Sequence, residues 1–285
     1  MTERLVASYW TIAGALVGRP ARWPFETRVL AAADAGFWGI GMHYEDYVAM
    51  RQGGASDADL RRIVKGHGVV VDEIEFLSGW SSEDEASRAK AREAEDALYA
   101  LADAVGARQL NAGCSELLGS PAPIERVAER FAAVCDRAQS HGLVVAIEFL
   151  PWSGIPDVAT AWEIVRAAGA ANGGVLLDTW HFFRGNPDLD ALRAVPPERI
   201  VGLQINDGPV APIGEIRDET RRGRRLPGEG DFDLIGLIRT LREMAVDAPW
   251  GVEVMSELQA SLPLPVAARA ALESTRRVLG EAGEA

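Results

Sequence analysis

Residues 139–150 read QSHGLVVAIEFL: the polar end of a helical segment, a glycine and an apolar run follow one another directly. A glycine such as Gly142 commonly ends a helix, and the run after it has the β-branched and apolar character of a buried strand. The same order recurs at AAADAGF, KGHGV, ADAVGA and RAAGAANGG. This repetition of helix, glycine and strand is typical of a parallel sheet.

Eight β-rich runs alternate with amphipathic segments along the chain. The runs are 4–10, 36–44, 69–77, 108–113, 143–150, 174–180, 200–207 and 250–256. The segments with apolar residues at helical spacing are 24–35, 57–67, 83–105, 124–141, 156–168, 231–245 and 263–279. Eight strands within 285 residues predict an α/β fold, a closed (β/α)8 TIM barrel, with an open doubly wound sheet as the alternative.

The chain shows no break in composition that would divide it. We therefore predict a single TIM-barrel domain over residues 1–285, with a short flexible C-terminal tail at 280–285. No GxGxxG follows the first strand and no GxxxxGK[ST] occurs, so dinucleotide and P-loop sites lack support.

The composition excludes several classes of partner. The 29 basic and 42 acidic residues leave a formal charge of −13, which repels a phosphate backbone, so we expect no nucleic-acid partner. No stretch approaches the roughly 18 apolar residues of a membrane span, so no membrane partner is expected. Cys114 and Cys135 form no disulfide or zinc pattern, which fits a reducing cytoplasm. Homo-oligomerisation stays open.

Four polar residues stand late in the last four predicted strands: Glu148, Asp178, Gln204 and Glu253. The carboxyl ends of barrel strands carry the chemistry of this fold, although a single carboxylate there is as often a helix cap. Three convergent carboxylates repel one another unless they are protonated or bind a cation. The set therefore predicts one divalent metal ion. Its oxygen ligands favour Mn²⁺ or Mg²⁺ over zinc, with Co²⁺ and Ni²⁺ open.

The order of these residues resembles a known family. The series runs from Glu148 through DTWH at 178–181, Gln204 and RRLPGEGDFD at 224–233 to Glu253. It is similar, nearly end to end, to the xylose-isomerase-like TIM-barrel superfamily of sugar phosphate isomerases and epimerases. The resemblance implies a metal held by Glu148, Asp178, Gln204 and Glu253, and substrate contacts from His181 and Arg224. Gln204 departs from the histidine usual among the epimerases, but glutamine occurs in some dehydroshikimate dehydratases.

The resemblance also implies a reaction. The cation polarises a substrate oxygen and stabilises an enediolate after removal of the neighbouring proton, with Glu148 and Glu253 as an acid/base pair and His181 as a third catalytic residue. We expect an isomerase or epimerase of a sugar, keto-sugar or cyclic polyol. The alternative is a dehydratase or lyase resembling 3-dehydroshikimate dehydratase, inosose dehydratase or 3-keto-glycoside-cleaving enzymes.

Other residues are candidates for substrate binding. Trp10, His43 and Trp180 lie near strand ends, where aromatic rings suit the face of a sugar. Five arginines between Arg217 and Arg225 form either a solvated loop or a clamp for an anionic group. Two further functions are less well supported. A DNA-repair nuclease resembling endonuclease IV needs a histidine-rich zinc site, whereas this chain has four histidines. The full series of ligands argues against a non-catalytic subunit, but it leaves open an enzyme that needs a partner chain.

Overall fold

The computed structural model describes residues 3–114 and 123–283. Its eight strands form one closed parallel barrel in sequence order, in which the eighth strand pairs with the first. The strands are β1 Leu5–Ala7, β2 Gly39–His43, β3 Val70–Leu77, β4 Gln109–Gly113, β5 Val144–Glu148, β6 Gly173–Asp178, β7 Ile200–Ile205 and β8 Trp250–Val252. The predicted (β/α)8 barrel is therefore confirmed.

Helices surround the barrel and also occupy the loops above it. They are α1 Tyr9–Ala13, α2 Phe25–Ala35, α3 Tyr44–Gln52, α4 Asp57–Gly66, α5 Glu85–Val105, α6 Ile124–Gln139, α7 Val158–Ala168, α8 Thr179–Arg184, α9 Leu189–Arg193, α10 Ile216–Arg222, α11 Leu234–Glu243, α12 Glu257–Ser261 and α13 Leu264–Glu281. The seven predicted helices correspond to α2, α4, α5, α6, α7, α11 and α13, each within three residues at either end. Among the described residues, no helix combines the length and the apolar character that crossing a membrane requires.

The passage from α6 to β5 shows how the sequence builds one repeat. Val127, Phe131 and Val134 of α6 are buried at spacings of four and three residues, so one face of the helix packs on the barrel. Gly142 has a φ of +70°, a conformation that glycine adopts without strain. The chain then enters β5, whose last residue is Glu148.

Several strands are shorter than their sequence runs predict. β1 ends at Ala7 and Trp10 lies in α1, while β6 ends at Asp178 and Trp180 lies in α8. Helix α8 starts there because Asp178 caps it: Oδ1 accepts hydrogen bonds from the backbone N–H groups of Trp180 at 2.7 Å and His181 at 3.3 Å. A residue that looks like the end of a strand is therefore also the start of a helix.

Two further predictions need correction. Of the two alternatives for the arginine run, a solvated loop or an anion clamp, the loop is wrong in part, because Arg217, Arg221 and Arg222 lie in the helix α10. The predicted tail at 280–285 is also wrong in part, because α13 continues to Glu281 and buries one face against the barrel. Residues 284–285 lie outside the described residues.

Candidate active site

A cavity of about 270 Å³ opens at the carboxyl end of the barrel. Six of the residues selected from the sequence line it: Trp10, His43, Glu148, His181, Arg224 and Glu253. Each comes from a different strand or from the segment that follows it. Asp178 and Gln204 are buried beside this cavity without lining it.

Arg224 links two of the carboxylates. Its Nη1 lies 2.7 Å from Oδ2 of Asp178 and 2.9 Å from Oε2 of Glu253, and the side chains of Arg224 and Asp178 are fully buried. Burial alone raises the pKa of Asp178, but Arg224 and then His181 outweigh it and hold that pKa below its usual range. Burial raises the pKa of Glu253 well above its usual value, although Arg224 opposes the shift. Asp178 is thus an ionised partner of the guanidinium.

Glu148 and His181 form a second pair beside the first. Nε2 of His181 lies 3.2 Å from Oε1 of Glu148 and 3.4 Å from Nη2 of Arg224. The imidazole packs edge-on against the Trp152 ring, with centroids 5.5 Å apart. Its Nδ1 is buried and has no hydrogen-bond partner among the described residues. Carboxylate, imidazole and guanidinium therefore meet at the floor of the cavity.

The side chain of Gln204 carries an unused acceptor. Its Nε2 donates to Oε1 of Glu253 at 3.3 Å, whereas its Oε1 is buried without a partner among the described residues. A buried acceptor with no donor is costly, and a cation would satisfy it together with the carboxylate oxygens. The residues present therefore fit a divalent metal.

The same floor also offers a second donor set. One ligand atom each from Glu148, Asp178 and His181 lies within 4.8 Å of the others. A set that contains an imidazole nitrogen suits zinc and other borderline ions as well as harder ones. His181 is thus placed either to ligate a metal or to contact a substrate.

The loop after β7 positions Arg224. The backbone N–H of Arg224 donates to the carbonyl of Met255 at 3.1 Å, and its Nη2 donates to Oγ1 of Thr220 at 3.0 Å. Asp207 accepts hydrogen bonds from the backbone N–H groups of Gly228 at 2.9 Å and Phe232 at 3.1 Å. These contacts fix the PGEGDF turn and hold the guanidinium over the carboxylates.

Trp180 does not line the cavity. It is fully buried, and the guanidinium carbon of Arg224 lies 5.7 Å from the centre of its ring. The ring supports Arg224 from behind through a cation–π contact. Because α8 turns this side chain inward, Trp180 lies outside the cavity lining, and the substrate contact predicted for it stays a prediction.

His43 lies at the rim of the cavity. Its Nδ1 accepts a hydrogen bond from the N–H of Glu45 at 3.3 Å and so caps α3, and its ring lies 5.7 Å from that of Trp10. Burial lowers the pKa of His43. The two rings form an apolar wall with one polar edge, and their contact with a substrate ring stays a prediction.

Glu75 is a member of the site that the sequence analysis missed. It lines the cavity from β3, is 3% exposed, and its Oε1 has no hydrogen-bond partner among the described residues. Burial, followed by repulsion from Glu73 and Glu148, raises its pKa well above the usual value. The signal was present in VVVDEIEFL, since carboxylates inside a strand that is buried on both faces need a reason.

A hydrogen-bonded network lies beneath this floor, inside the barrel. Ser8 Oγ donates to Oε1 of Glu73 at 2.5 Å, Asn111 Nδ2 donates to Oε2 of Glu73 at 3.2 Å, and Gln109 Nε2 donates to Oδ1 of Asn111 at 2.7 Å. Gly202 makes room for Gln109, because a Cβ there would lie 2.3 Å from Nε2. Burial raises the pKa of Glu73 to about 7.

The raised pKa of Glu73 predicts a pH-dependent stability. Between the value of 4.5 for an exposed glutamate and about 7, folded Glu73 keeps a proton that the unfolded chain has lost. The stability that this bound proton contributes is fully present below pH 4.5 and is lost as the pH rises through about 7. Glu73→Gln removes this loss, so denaturant unfolding should show the variant gaining roughly 2 kcal/mol over the parent between pH 5 and pH 8. An equal difference at both pH values would contradict the shift.

Comparison with known proteins identifies the family. The sequence model of the xylose isomerase-like TIM barrel family matches residues 29–278. The chain belongs to this family. The resemblance seen in the sequence is therefore confirmed over most of the chain's length.

Two curated enzymes that are similar to this chain catalyse different reactions. A 3-dehydroshikimate dehydratase of Pseudomonas aeruginosa is 29% identical over 144 residues, which are 50% of this chain and 22% of that enzyme. An inosose isomerase of Bacillus velezensis is 28% identical over 156 residues, which are 54% of this chain and 55% of that enzyme. The matched part of the chain thus spans about a fifth to about half of these relatives.

Solved structures share the fold over nearly the whole chain. The crystal structure of IolI protein with a bound zinc atom superposes with a TM-score of 0.85 at 19% identity, covering 99% of this chain and 100% of that one. An L-ribulose 3-epimerase superposes with a TM-score of 0.73 at 18% identity, covering 99% of this chain and 96% of the other. At these identities the likeness shows the xylose isomerase-like barrel alone.

Proposed function

We propose that the protein is a divalent-metal-dependent isomerase or epimerase of a sugar, keto-sugar or cyclic polyol. One observation carries the proposal: Glu148 at the end of β5 and Glu253 directly after β8 line one cavity together with His181 and Arg224. Two carboxylates on either side of a bound molecule can remove and return a proton. The inosose isomerase of Bacillus velezensis and the L-ribulose 3-epimerase support this class of reaction.

Glu148, Asp178, Gln204 and Glu253 are the proposed ligands of the metal. Their oxygen donors favour Mn²⁺, with Mg²⁺, Co²⁺ or Ni²⁺ as alternatives. The imidazole of His181 and the zinc atom bound to IolI protein support zinc as a further candidate. When bound, the ion supplies Lewis-acid polarisation of a substrate oxygen next to the reacting carbon.

The side chains of this protein account for the other steps. One member of the Glu148–Glu253 pair takes the proton next to the substrate carbonyl, and the other delivers a proton to the adjacent carbon or to the opposite face. Arg224 and His181 donate hydrogen bonds to the oxygen that gains negative charge. Trp10 and His43 hold the substrate ring at the rim and limit the access of water.

Elimination is the second candidate, and the 3-dehydroshikimate dehydratase of Pseudomonas aeruginosa supports it. Like isomerisation, elimination of water beside a carbonyl begins with removal of the proton on the neighbouring carbon. If a hydroxyl group on the next carbon then departs, the same acid/base pair yields an alkene and water. The two candidates share proton removal and differ only in the later step, so one experiment separates them.

Proton exchange tests the proposal. The protein, supplied with Mn²⁺ or Zn²⁺, is incubated in D₂O with keto-sugars, inososes, 3-keto-glycosides and dehydroshikimate, and proton NMR monitors the hydrogen next to the carbonyl. Exchange without loss of water supports the isomerase, whereas a new vinylic signal supports the lyase. Absence of both with every compound contradicts proton abstraction and favours a binding or partner-dependent subunit.

Glu148→Gln is expected to lower the exchange rate roughly a hundred- to a thousandfold, because an amide cannot accept the proton. Its amide oxygen can still face the metal, so metal content after dialysis should change far less than the rate. Glu163→Gln, an exposed site on α7, is the control and should exchange like the parent. An unchanged rate in Glu148→Gln would assign the base to another residue.

A further inference from the structure

Five arginines follow one another between Arg217 and Arg225, and they divide into two groups. Three lie within 4.0 Å of a carboxylate oxygen: Arg222 with Asp218 and Glu257, Arg224 with Asp178 and Glu253, and Arg225 with Asp231. Among the described residues, neither Arg217 nor Arg221 has a carboxylate partner within that distance. The chain carries 42 acidic and 29 basic residues, so a shortage of carboxylates does not explain the difference.

The two unpaired arginines are the ones that line the cavity together with Arg224. Arg217 and Arg221 are four residues apart on α10, which places them on the same face of the helix. Arg217 is half-buried, and its guanidinium carbon lies 5.9 Å from the centre of the Trp152 ring. Arg221 is exposed. The two guanidinium groups therefore stand on one side of the entrance.

The charges within the cavity are separated by depth. Three carboxylates, Glu75, Glu148 and Glu253, line the cavity and are buried, whereas Arg217 and Arg221 lie nearer to solvent. Glu148 and Glu253 below already face His181 and Arg224, whereas the two guanidinium groups above have no carboxylate partner among the described residues and attract an anionic group. A molecule with a negative charge at one end is thus oriented with its uncharged oxygens toward Glu148 and Glu253.

We propose that Arg217 and Arg221 form a subsite for an anionic substituent of the substrate, a carboxylate or a phosphate group. Guanidinium groups bind both through paired hydrogen bonds. The inference rests on the proposed function only for the reacting end of the substrate, since the subsite itself requires no catalysis. It narrows the substrate class to a cyclic or open-chain polyol acid or phosphate ester.

Binding of three matched probes tests the subsite. Calorimetric titrations compare quinate, a cyclic polyol with a carboxylate, with myo-inositol, which is neutral, and myo-inositol 1-phosphate. The double variant Arg217→Gln/Arg221→Gln is expected to weaken the binding of at least one anionic probe about tenfold or more, while myo-inositol changes less than twofold. Added salt should weaken the anionic probe in the parent but not myo-inositol. If quinate loses more affinity in the double variant, the substituent is a carboxylate, and if myo-inositol 1-phosphate loses more, it is a phosphate group.

Arg222→Gln is the matched control, because Arg222 shares α10 but is paired with Asp218 and Glu257. It should leave all three affinities unchanged, and thermal melts should show that each variant is folded. If the double variant binds both anions as the parent does, or if neither anion binds better than myo-inositol, the subsite is refuted. Anion binding that depends on the arginines in a protein without proton exchange would support the subsite and contradict the proposed reaction.

Discussion

Asp178→Asn is expected to abolish metal retention and turnover together, and to lower the free energy of unfolding by about 3 kcal/mol. The asparagine can still cap α8, because its Oδ1 can accept the N–H groups of Trp180 and His181 that Asp178 holds. It cannot supply the negative charge that faces Nη1 of Arg224 at 2.7 Å. Without the metal, the substrate oxygen is no longer polarised by a Lewis acid. The loss removes several kcal/mol of transition-state stabilisation, so the rate should fall at least roughly a thousandfold. Elemental analysis after dialysis, proton exchange and urea unfolding measure the three effects.

Asp188→Asn provides the matched control for this variant. Asp188 caps α9 in the same way, since its Oδ1 accepts the N–H groups of Asp190 at 2.9 Å and Ala191 at 3.0 Å, but it is exposed and lies outside the cavity lining. Asp188→Asn should retain the metal and exchange protons at the rate of the parent. Full metal retention in Asp178→Asn would remove Asp178 from the ligand set. His181→Ala then decides whether His181 or Gln204 binds the metal beside the carboxylates. The variant keeps the metal only if Gln204 is the ligand.

The fold was predictable because its signals are local. The run before Glu148 and the glycine that precedes it predict the α6–β5 repeat, and the other repeats use the same signals. Helix α8 was missed because a capping contact, rather than a periodic pattern, starts it. Asp178 looks like the end of a strand, and only its bonds to Trp180 and His181 turn the chain into α8.

The site was predictable in its order but not in its contacts. The strand ends brought Glu148, Asp178, Gln204 and Glu253 to one end of the barrel, as the spacing of the polar residues indicated. The sequence showed carboxylates within β3 but did not indicate that Glu75, rather than Glu73, lines the cavity, because which face of β3 points into the cavity depends on strand tilt and register. It also did not indicate that Arg224 lies between two carboxylates, since that contact joins residues 46 and 29 positions apart.

Arg224→Met is expected to destabilise the metal-free protein by about 3–5 kcal/mol, because Asp178 is left as a buried charge without its guanidinium partner and Glu253 loses a hydrogen-bond donor. A divalent cation neutralises the same oxygens. We therefore expect Mn²⁺ or Zn²⁺ to raise the melting temperature of the variant by more than it raises that of the parent. Thermal melts with chelator and with saturating metal measure both increments.

The metal affinity of Arg224→Met should rise while its proton exchange falls. In the parent, Nη1 of Arg224 and a cation compete for Oδ2 of Asp178 and Oε2 of Glu253, and the positive guanidinium repels the ion. Removing Arg224 ends that competition, but it also removes a hydrogen-bond donor for the substrate oxygen. Tighter metal binding together with slower proton exchange would therefore show that the guanidinium of Arg224 contributes to catalysis independently of the metal ion.

Arg184→Met distinguishes this effect from a general loss of a buried ion pair. The side chain of Arg184 is buried and paired with that of Glu219, also buried, but neither residue lines the cavity. The variant should lose stability as Arg224→Met does, yet gain no more from metal than the parent gains. Equal metal increments in Arg224→Met, Arg184→Met and the parent would mean that Asp178 and Glu253 do not face a common cation. In that case Arg224 is the permanent counterion of the two carboxylates.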